Sequence, residues 1–569
     1  MKPMRFVLGF MAAMSLFAAG PAPVSGPLVS CDRWPRATDL VSWTADVMRI
    51  EGLENGPETA QGKAFFEWLR LFSRMAVGGM IQAYEGPHGR ERFVTDAHKT
   101  LFVYGWGYCD TSSRIAEAAW KEYKRDPRAA ERVCAQHEDG GYHTMYRLRL
   151  DGRYGAFDPR YGYYLVERDE PGAPVLDWNE VGRDENFHRN RAFRHRSRPF
   201  FEIFGLEWDR ALLLNPGWFD TEQQWRGAGA PKEYVFGNTQ YQMGTRFHDM
   251  DFTLWKGTTI ERFWDNSARK FYRPAGKQTQ REWPFLASGR FYRVTETSLD
   301  GNWLKHDPNY ERARPYLAAV PRDEGYPNEV AGGRTIGQAS GVLHYAPRLQ
   351  SAESLDALAA GATLVHSLTA PHLRPARPAE GGAAVYDIYS PYVLVDGTLE
   401  AELAGSGGRI ELRTLEPKAG RASEADVWGE WQTLAAGAGR HKLELGRPRF
   451  NGKDASIHGA YRFQLRVAVD PRPGRAAPEG LSALKLDLYF ENGIMSIPRL
   501  FAGRNMLRFQ LRDAARLGGP VEVVYRYQTA SGNQIARRTL QRADFHSNQA
   551  EWAVDAAGLV RCNSLAISY

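Results

Sequence analysis

Cysteine is scarce in this chain, with four in 569 residues (Cys31, Cys109, Cys134 and Cys562), which excludes a disulfide framework and leaves the fold to hydrophobic cores. Long apolar runs are missing after the first twenty residues, so no membrane-spanning segment is expected in the mature chain. Charge of one sign is missing too. Lys plus Arg number 73 against 67 Asp plus Glu, too small an excess to imply general affinity for nucleic acid or membranes. Gly56 to Lys63 has one residue too many for a phosphate-binding loop, and no Gly-x-Ser-x-Gly elbow occurs. Neither Cys-x-x-Cys nor His-Glu-x-x-His is present, so no cofactor and no metal are expected.

What is present begins with Met1 to Gly20, where Lys2 and Arg5 precede the apolar run Phe6 to Ala19. That pattern reads as a secretory signal peptide, assigned to residues 1–26 and implying a secreted or periplasmic protein. Leu28-Val29-Ser30-Cys31 imitates a lipoprotein signal, with Cys31 as the acylated residue, but Pro21 to Pro27 separate it from the apolar run. The remaining length suits three to four domains. Sixteen Trp and 26 Tyr point to large aromatic cores more than to grooves.

The chemistry-bearing residues cluster between Gly105 and Tyr164. Ile115, Ala116, Ala119, Trp120 and Tyr123 fall at helical spacing, and Pro127 stops continuation, which predicts a helix over 109–124 with Cys109 in its first turn. Unpaired N–H groups and the positive end of the helix dipole favour a thiolate there. Ser112, Ser113, Ala116 and Trp120 mark the face turned inward. Downstream, Thr144 to Leu150 alternates and Asp151-Gly152 is a two-residue turn signal. Pairing Leu150 with Arg153 sets Met145 opposite Asp158, so Asp158 shares a face with His143 at a Cα separation of roughly 7 to 8 Å.

Gly107-Tyr108-Cys109, His143, Asp151-Gly152-Arg153 and Phe157-Asp158-Pro159 together resemble the transglutaminase-like superfamily of thiol enzymes. The resemblance covers about residues 90 to 170 and departs from the family where Met145 replaces the Trp two residues after the His. It implies Cys109 as nucleophile, His143 as base and Asp158 as the group that orients the imidazole. Two other readings of the same residues stay open: a Cys109–Cys134 disulfide, and a zinc site on Cys109, His143 and Asp158.

Elsewhere, two helices are expected in 37–85, the second over Lys63 to Tyr84 with Phe65, Phe66, Leu69, Leu71 and Phe72 as its apolar positions. Met250 to Leu254 and Thr258 to Trp264 read as strands. The run from His188 to Arg198 is basic, read as a solvated face or, if it binds, a site for an acidic polysaccharide or cell-wall polymer. Residues 370–382 read as a linker or a long loop. Beyond it the period is two, at Tyr461-Phe463-Leu465-Val467, Leu484-Leu486-Leu488-Phe490 and Val521-Val523-Tyr525-Tyr527.

The expectation is an α+β protein: a transglutaminase-like (papain-like) catalytic domain at 32–180, a β-rich middle region at 181–340, a β-sandwich at 341–497 and a small β-sandwich at 498–569. Its expected work is amide chemistry through a thioester, as hydrolase or acyltransferase, on proteins, peptides or cell-wall material, with polysaccharide binding by the sandwiches and no nucleic-acid partner. The competing reading is a non-catalytic extracellular binding or scaffold protein that keeps a degenerate triad fold.

Overall fold

The computed structural model describes, with short breaks, residues 23–75, 94–136, 142–177, 247–264 and 341–569, together with a few isolated short strands. The leader, most of the basic run His188 to Arg198 and the segment 76–93 lie outside the described residues. The N-terminal part begins with a strand, β1 (Leu28–Cys31), and two helices, α1 (Leu40–Ile50) and α2 (Glu58–Phe72). α1 starts where the Asp39 carboxylate accepts from the Ser42 N–H at 2.7 Å, and it buries Leu40, Trp43, Val47 and Met48 on one stripe. α2 ends at Phe72, short of the expected Tyr84, and buries Phe65, Phe66, Trp68, Leu69 and Phe72.

A π-turn over Lys99–Tyr104 leads to α3 (Cys109–Lys124), the helix predicted from the spacing of its apolar residues. Four antiparallel strands follow: β2 (Ala130–Gln136), β3 (Tyr142–Leu150), β4 (Arg153–Asp158) and β5 (Tyr163–Leu165), neighbours in that order within a six-stranded sheet. The β3–β4 turn is the two-residue kind, with Asp151 at φ 50° and Gly152 at φ 87°, and its register pairs Leu150 with Arg153 and Tyr146 with Phe157. Asp151 also reaches the start of α2, accepting from the Thr59 N–H at 3.0 Å and the Thr59 hydroxyl at 2.7 Å. Burial would raise its pKa, but these donors, the Glu58 N–H and Lys124 hold it below the usual carboxylate value.

The rest of the described chain is mostly strand and includes β6 (Thr258–Phe263), β7 (Gly341–Tyr345), β8 (Gly382–Tyr389), β9 (Val393–Ala404), β10 (Gly408–Glu416), β11 (Gln432–Ala436), β12 (Arg462–Val469), β13 (Gly480–Glu491), β14 (Arg504–Gln510), β15 (Val521–Thr529), β16 (Gly532–Leu540), β17 (Gln549–Asp555) and β18 (Leu559–Ser568). A ten-stranded sheet runs in part β13-β7-β6-β18-β15-β16, with β9 also on β13. A five-stranded sheet holds β8-β12-β10 with β11 beside β10, and β1-β14-β17 make a third. Phe463, Leu465, Val467, Leu486, Leu488, Phe490, Val521 and Tyr525 are all buried, the inward set of the period-two pattern.

Strands therefore dominate, and the α+β class expected from the sequence is corrected to a β-rich fold whose longer helices among the described residues are α1, α2 and α3. The helical pattern was real but local. The sheets that outweigh it are built from strands far apart in sequence, with β6 between β7 and β18, and β1 against β14. The ten-stranded sheet also continues across residue 498. The stretch 370–382 is ordered structure and not a linker: Leu373 is fully buried in a strand at Leu373–Pro375 that pairs with Leu481 of β13. Its Pro and Gly content marked turns between strands, not a break in the core.

One hydrophobic core runs from Trp43 and Phe66 through Leu343 and Leu486 to Tyr525 and Ile567. Trp34 packs its ring on Trp68, Phe72 and Phe501 and donates to the Met495 carbonyl at 2.8 Å. A chain ending before Pro371 would lose β13 and β18, both neighbours of the β6–β7 pair on either side. Such a truncation is expected to be insoluble or to lack a cooperative melt. Recovery of a soluble fragment with a sharp thermal transition by circular dichroism would contradict the shared core.

Candidate active site

α3 is held on the β2–β3 part of the sheet by a buried polar network. Arg132 of β2, 1% exposed, donates to Glu117 at 2.6 Å and to Asp110 at 2.9 Å. Lys121 closes on Glu117 at 2.7 Å, and Arg114 pairs with Asp110 one turn along. Asp110 directly follows Cys109, so a fixed guanidinium anchors the turn that carries the thiol. Lower on the helix, the Ser112 and Ser73 hydroxyls meet at 3.0 Å, and Ser113 donates to the Thr144 carbonyl at 3.4 Å. Ser112, Ser113, Ala116 and Trp120 are buried, the face expected from their spacing.

Cys109 is the first residue of α3, His143 the second of β3 and Asp158 the last of β4. The side chains of all three lie outside the described residues, as does that of Cys134, and backbone position and register define the arrangement. One further step of the β3–β4 register beyond Tyr146–Phe157 sets Met145 opposite Asp158. His143, Met145 and Asp158 thus occupy positions of one parity on adjacent strands. α3 covers the other parity: Tyr146 and Leu148 share the main core with Ile115 and Trp120, whereas Met145 packs with Val133 and Ala156 in a separate cluster.

Counting along the two elements locates the thiol's approach. Ser113 is level with Thr144. Four residues back on α3 is about 6 Å, and two back on β3 is about 6.7 Å, which brings Cys109 level with Tyr142. The β2–β3 ladder ends there, at Gln136 paired with Tyr142. The start of α3 therefore lies beside the end of the β2–β3 ladder. Cys134, opposite Thr144, holds a position on the parity that α3 covers.

No protein-family model matches the chain, and no curated protein matches it. Among solved structures, a xanthan lyase from Paenibacillus is similar at 10% identity, over 42% of this chain and 27% of that one, with a TM-score of 0.15. A likeness that slight carries no argument about fold or activity, and the site has to be judged on its own residues.

The loop entering the site rests on the C-terminal sheets. Gly105, at φ 67°, ends the π-turn, and a Cβ there would come within 3.2 Å of the Gly493 Cα. Gly493 donates its N–H to the Phe102 carbonyl at 3.1 Å, and Ser496 adds a hydroxyl donor at 2.7 Å. Two facing glycines let the loop after β13 lie directly on the backbone that leads to Trp106 and Gly107. Sequence reasoning found the glycines before Cys109 but not their partner, and it missed Arg132. Asp110 with Arg114 and Glu117 with Lys121 are i, i+4 pairs that were visible; their burial against a strand arginine was not.

Beside the π-turn, His248 is mostly enclosed. Its Nε2–H donates to the Pro391 carbonyl at 2.8 Å, its backbone N–H donates to Asp96 at 2.7 Å, and its ring meets Tyr461 edge-on at 4.6 Å. Burial first and Lys99 second pull its pKa down from 6.5 to about 4, against the opposing pull of Asp96. His98, stacked on Phe247, and the Tyr389 ring complete its surroundings. Above pH 6.5 the proton count at this ring is the same folded or unfolded. Between 6.5 and 4 only the unfolded chain takes up the proton, so stability falls with falling pH and levels off below 4. The loss expected from this residue is about 3 kcal/mol, read as the pH dependence of urea midpoints, and His248→Gln should flatten it. An unchanged profile in that variant would remove His248 from the account.

Among the described residues no group of three or more His, Cys, Asp or Glu is placed to hold a metal ion, and no helix is long and apolar enough to cross a membrane.

Proposed function

We propose that this protein is an exported thiol enzyme acting on carboxamides of proteins, peptides or cell-wall material. The observation that supports it is the hairpin register, which gives His143 and Asp158 one parity on adjacent strands at the end where α3 begins with Cys109. It is the chemistry that is proposed, carried on a β-rich fold. The Cys109 thiolate adds to the amide carbon, and the oxygen takes up negative charge that N–H groups of the first turn of α3 can hold. The C–N bond then breaks as His143 passes its proton to the leaving amine. Water, losing a proton to His143, attacks the thioester and releases the thiolate. Asp158 accepts from the other ring nitrogen and stabilises the charged imidazole. An amine in place of water gives acyl transfer; hydrolysis is the default because water is abundant.

The test is a panel of glutaminyl, peptide and cell-wall amides incubated with full-length protein, with hydroxylamine added to trap the thioester as a hydroxamate. Hydroxamate formation that requires Cys109 supports the proposal. Absence of ammonia, amine and hydroxamate across the panel, with Cys109 reduced and accessible, would leave the binding-protein reading in its place.

A further inference from the structure

The five-stranded sheet has one face in the core and an opposite face on which Glu411 and Gln464 are buried and the arginines partly exposed. Tyr386, Ile388, Phe463, Leu465, Ile410 and Leu412 go inward and are buried. The outward positions are Asp387 on β8, Arg462, Gln464 and Arg466 on β12, and Glu411 and Arg413 on β10, in one register. Trp428, paired with Leu415, and Trp431, just before β11, lie over them half-buried.

These side chains stack as an alternating row. The Arg462 guanidinium lies 5.6 Å from the Trp428 ring, Arg413 lies 5.0 Å from Trp428 and 4.4 Å from Trp431, and Arg466 lies 4.2 Å from Trp431. Two of the three cations are neutralised: Arg462 grips Asp387 through two bonds of 2.8 and 2.7 Å, and Arg466 holds Glu411 at 2.5 Å. Arg413 is different. It donates to the neutral Gln464 at 2.8 Å, and no carboxylate among the described residues lies within ion-pair distance of it. Its partial burial, and then the neighbouring Arg466, hold its pKa below the ordinary arginine value. An arriving anion would relieve that cost.

We infer that the Arg462-Trp428-Arg413-Trp431-Arg466 row is a binding face for an acidic polysaccharide, with Arg413 taking a uronate carboxylate and the exposed parts of the half-buried indoles packing against neighbouring sugar rings. A neutral glycan would leave Arg413 unpaired. A nucleic acid is disfavoured because the export proposed above places this face among extracellular polymers. An acidic peptide offers the carboxylate but no flat apolar ring for the indoles.

Affinity electrophoresis of the full-length protein through gels containing polygalacturonate tests this, with dextran, poly-glutamate and single-stranded DNA as comparators. Selective retardation by polygalacturonate is expected, weakened about tenfold or more by Trp431→Ala or by Arg413→Gln and by raised salt. If Arg413→Gln fails a thermal-melt check for folding, Trp431→Ala carries the comparison, with Arg413→Lys as the charge-preserving control. No retardation, equal retardation by DNA or poly-glutamate, or retardation unchanged in the folded variants would overturn the inference. Retardation involves no amide turnover, so its failure and that of the thiol proposal are separate results.

Discussion

Cys109→Ala is expected to abolish covalent turnover of any amide substrate while shifting the thermal midpoint little, because α3 still begins and only a small side chain is lost. Asp158→Asn should keep the fold and slow turnover by roughly a hundredfold or more, since an amide that both donates and accepts orients the imidazole poorly and carries no charge to stabilise its protonated form. The loss should fall on kcat more than on KM, because proton transfer and not binding is impaired. Steady-state kinetics on the substrate found in the amide panel check both variants. Turnover retained by Cys109→Ala, or an Asp158→Asn enzyme as fast as wild type, would mean that the reaction runs elsewhere.

Arg132→Met should be among the most destabilising single changes in the molecule. The guanidinium is buried and answers both Glu117 and Asp110, and Glu117 is itself 4% exposed at the side chain. Removing one partner of such a set costs about 3 to 5 kcal/mol, since desolvated carboxylate charge stays behind. Lys121 remains on Glu117 and Arg114 on Asp110, which places the expected loss near the lower end, about 3 kcal/mol. Adding Glu117→Gln should not restore it, because the buried Lys121 then loses the Glu117 charge, and a double-mutant cycle in urea measures the Arg132–Glu117 coupling. A loss below about 1 kcal/mol would show that the network is not what fixes α3 to the sheet. With the first turn of α3 loosened, Arg132→Met should also lower kcat without a matching change in KM.

Local structure was legible where a short pattern decides it. The apolar spacing around Ile115 and Trp120 with Pro127 beyond gave α3, and Asp151-Gly152 gave the turn whose register pairs Leu150 with Arg153. The inward residues of β12, β13 and β15 followed from alternation. What pattern could not supply was which strands pair. β6 joins β7 across about 80 residues of sequence and β18 across about 300, and nothing in Thr258 to Phe263 names either partner. For the same reason the α+β class was wrong: helical periods are read locally, whereas a β-rich architecture emerges only from long-range pairing. The candidate site divides the same way. The parity of His143 and Asp158 could be counted, but not the face that α3 covers, nor Gly493 beneath the entry loop, since each depends on residues distant in the chain.

The central claim is that Cys109 is an activated thiol answering to His143. Its most direct test is the pH dependence of iodoacetamide alkylation at Cys109, followed by peptide mass spectrometry in full-length protein, with Cys134 monitored in the same digest. An activated thiolate predicts fast Cys109 labelling already at pH 5 to 6, with an apparent pKa well below the ordinary value of about 8.5, and a return toward that value in His143→Ala. A Cys109–Cys134 disulfide in the native protein, or Cys109 labelling that titrates as an ordinary thiol with or without His143, would contradict it.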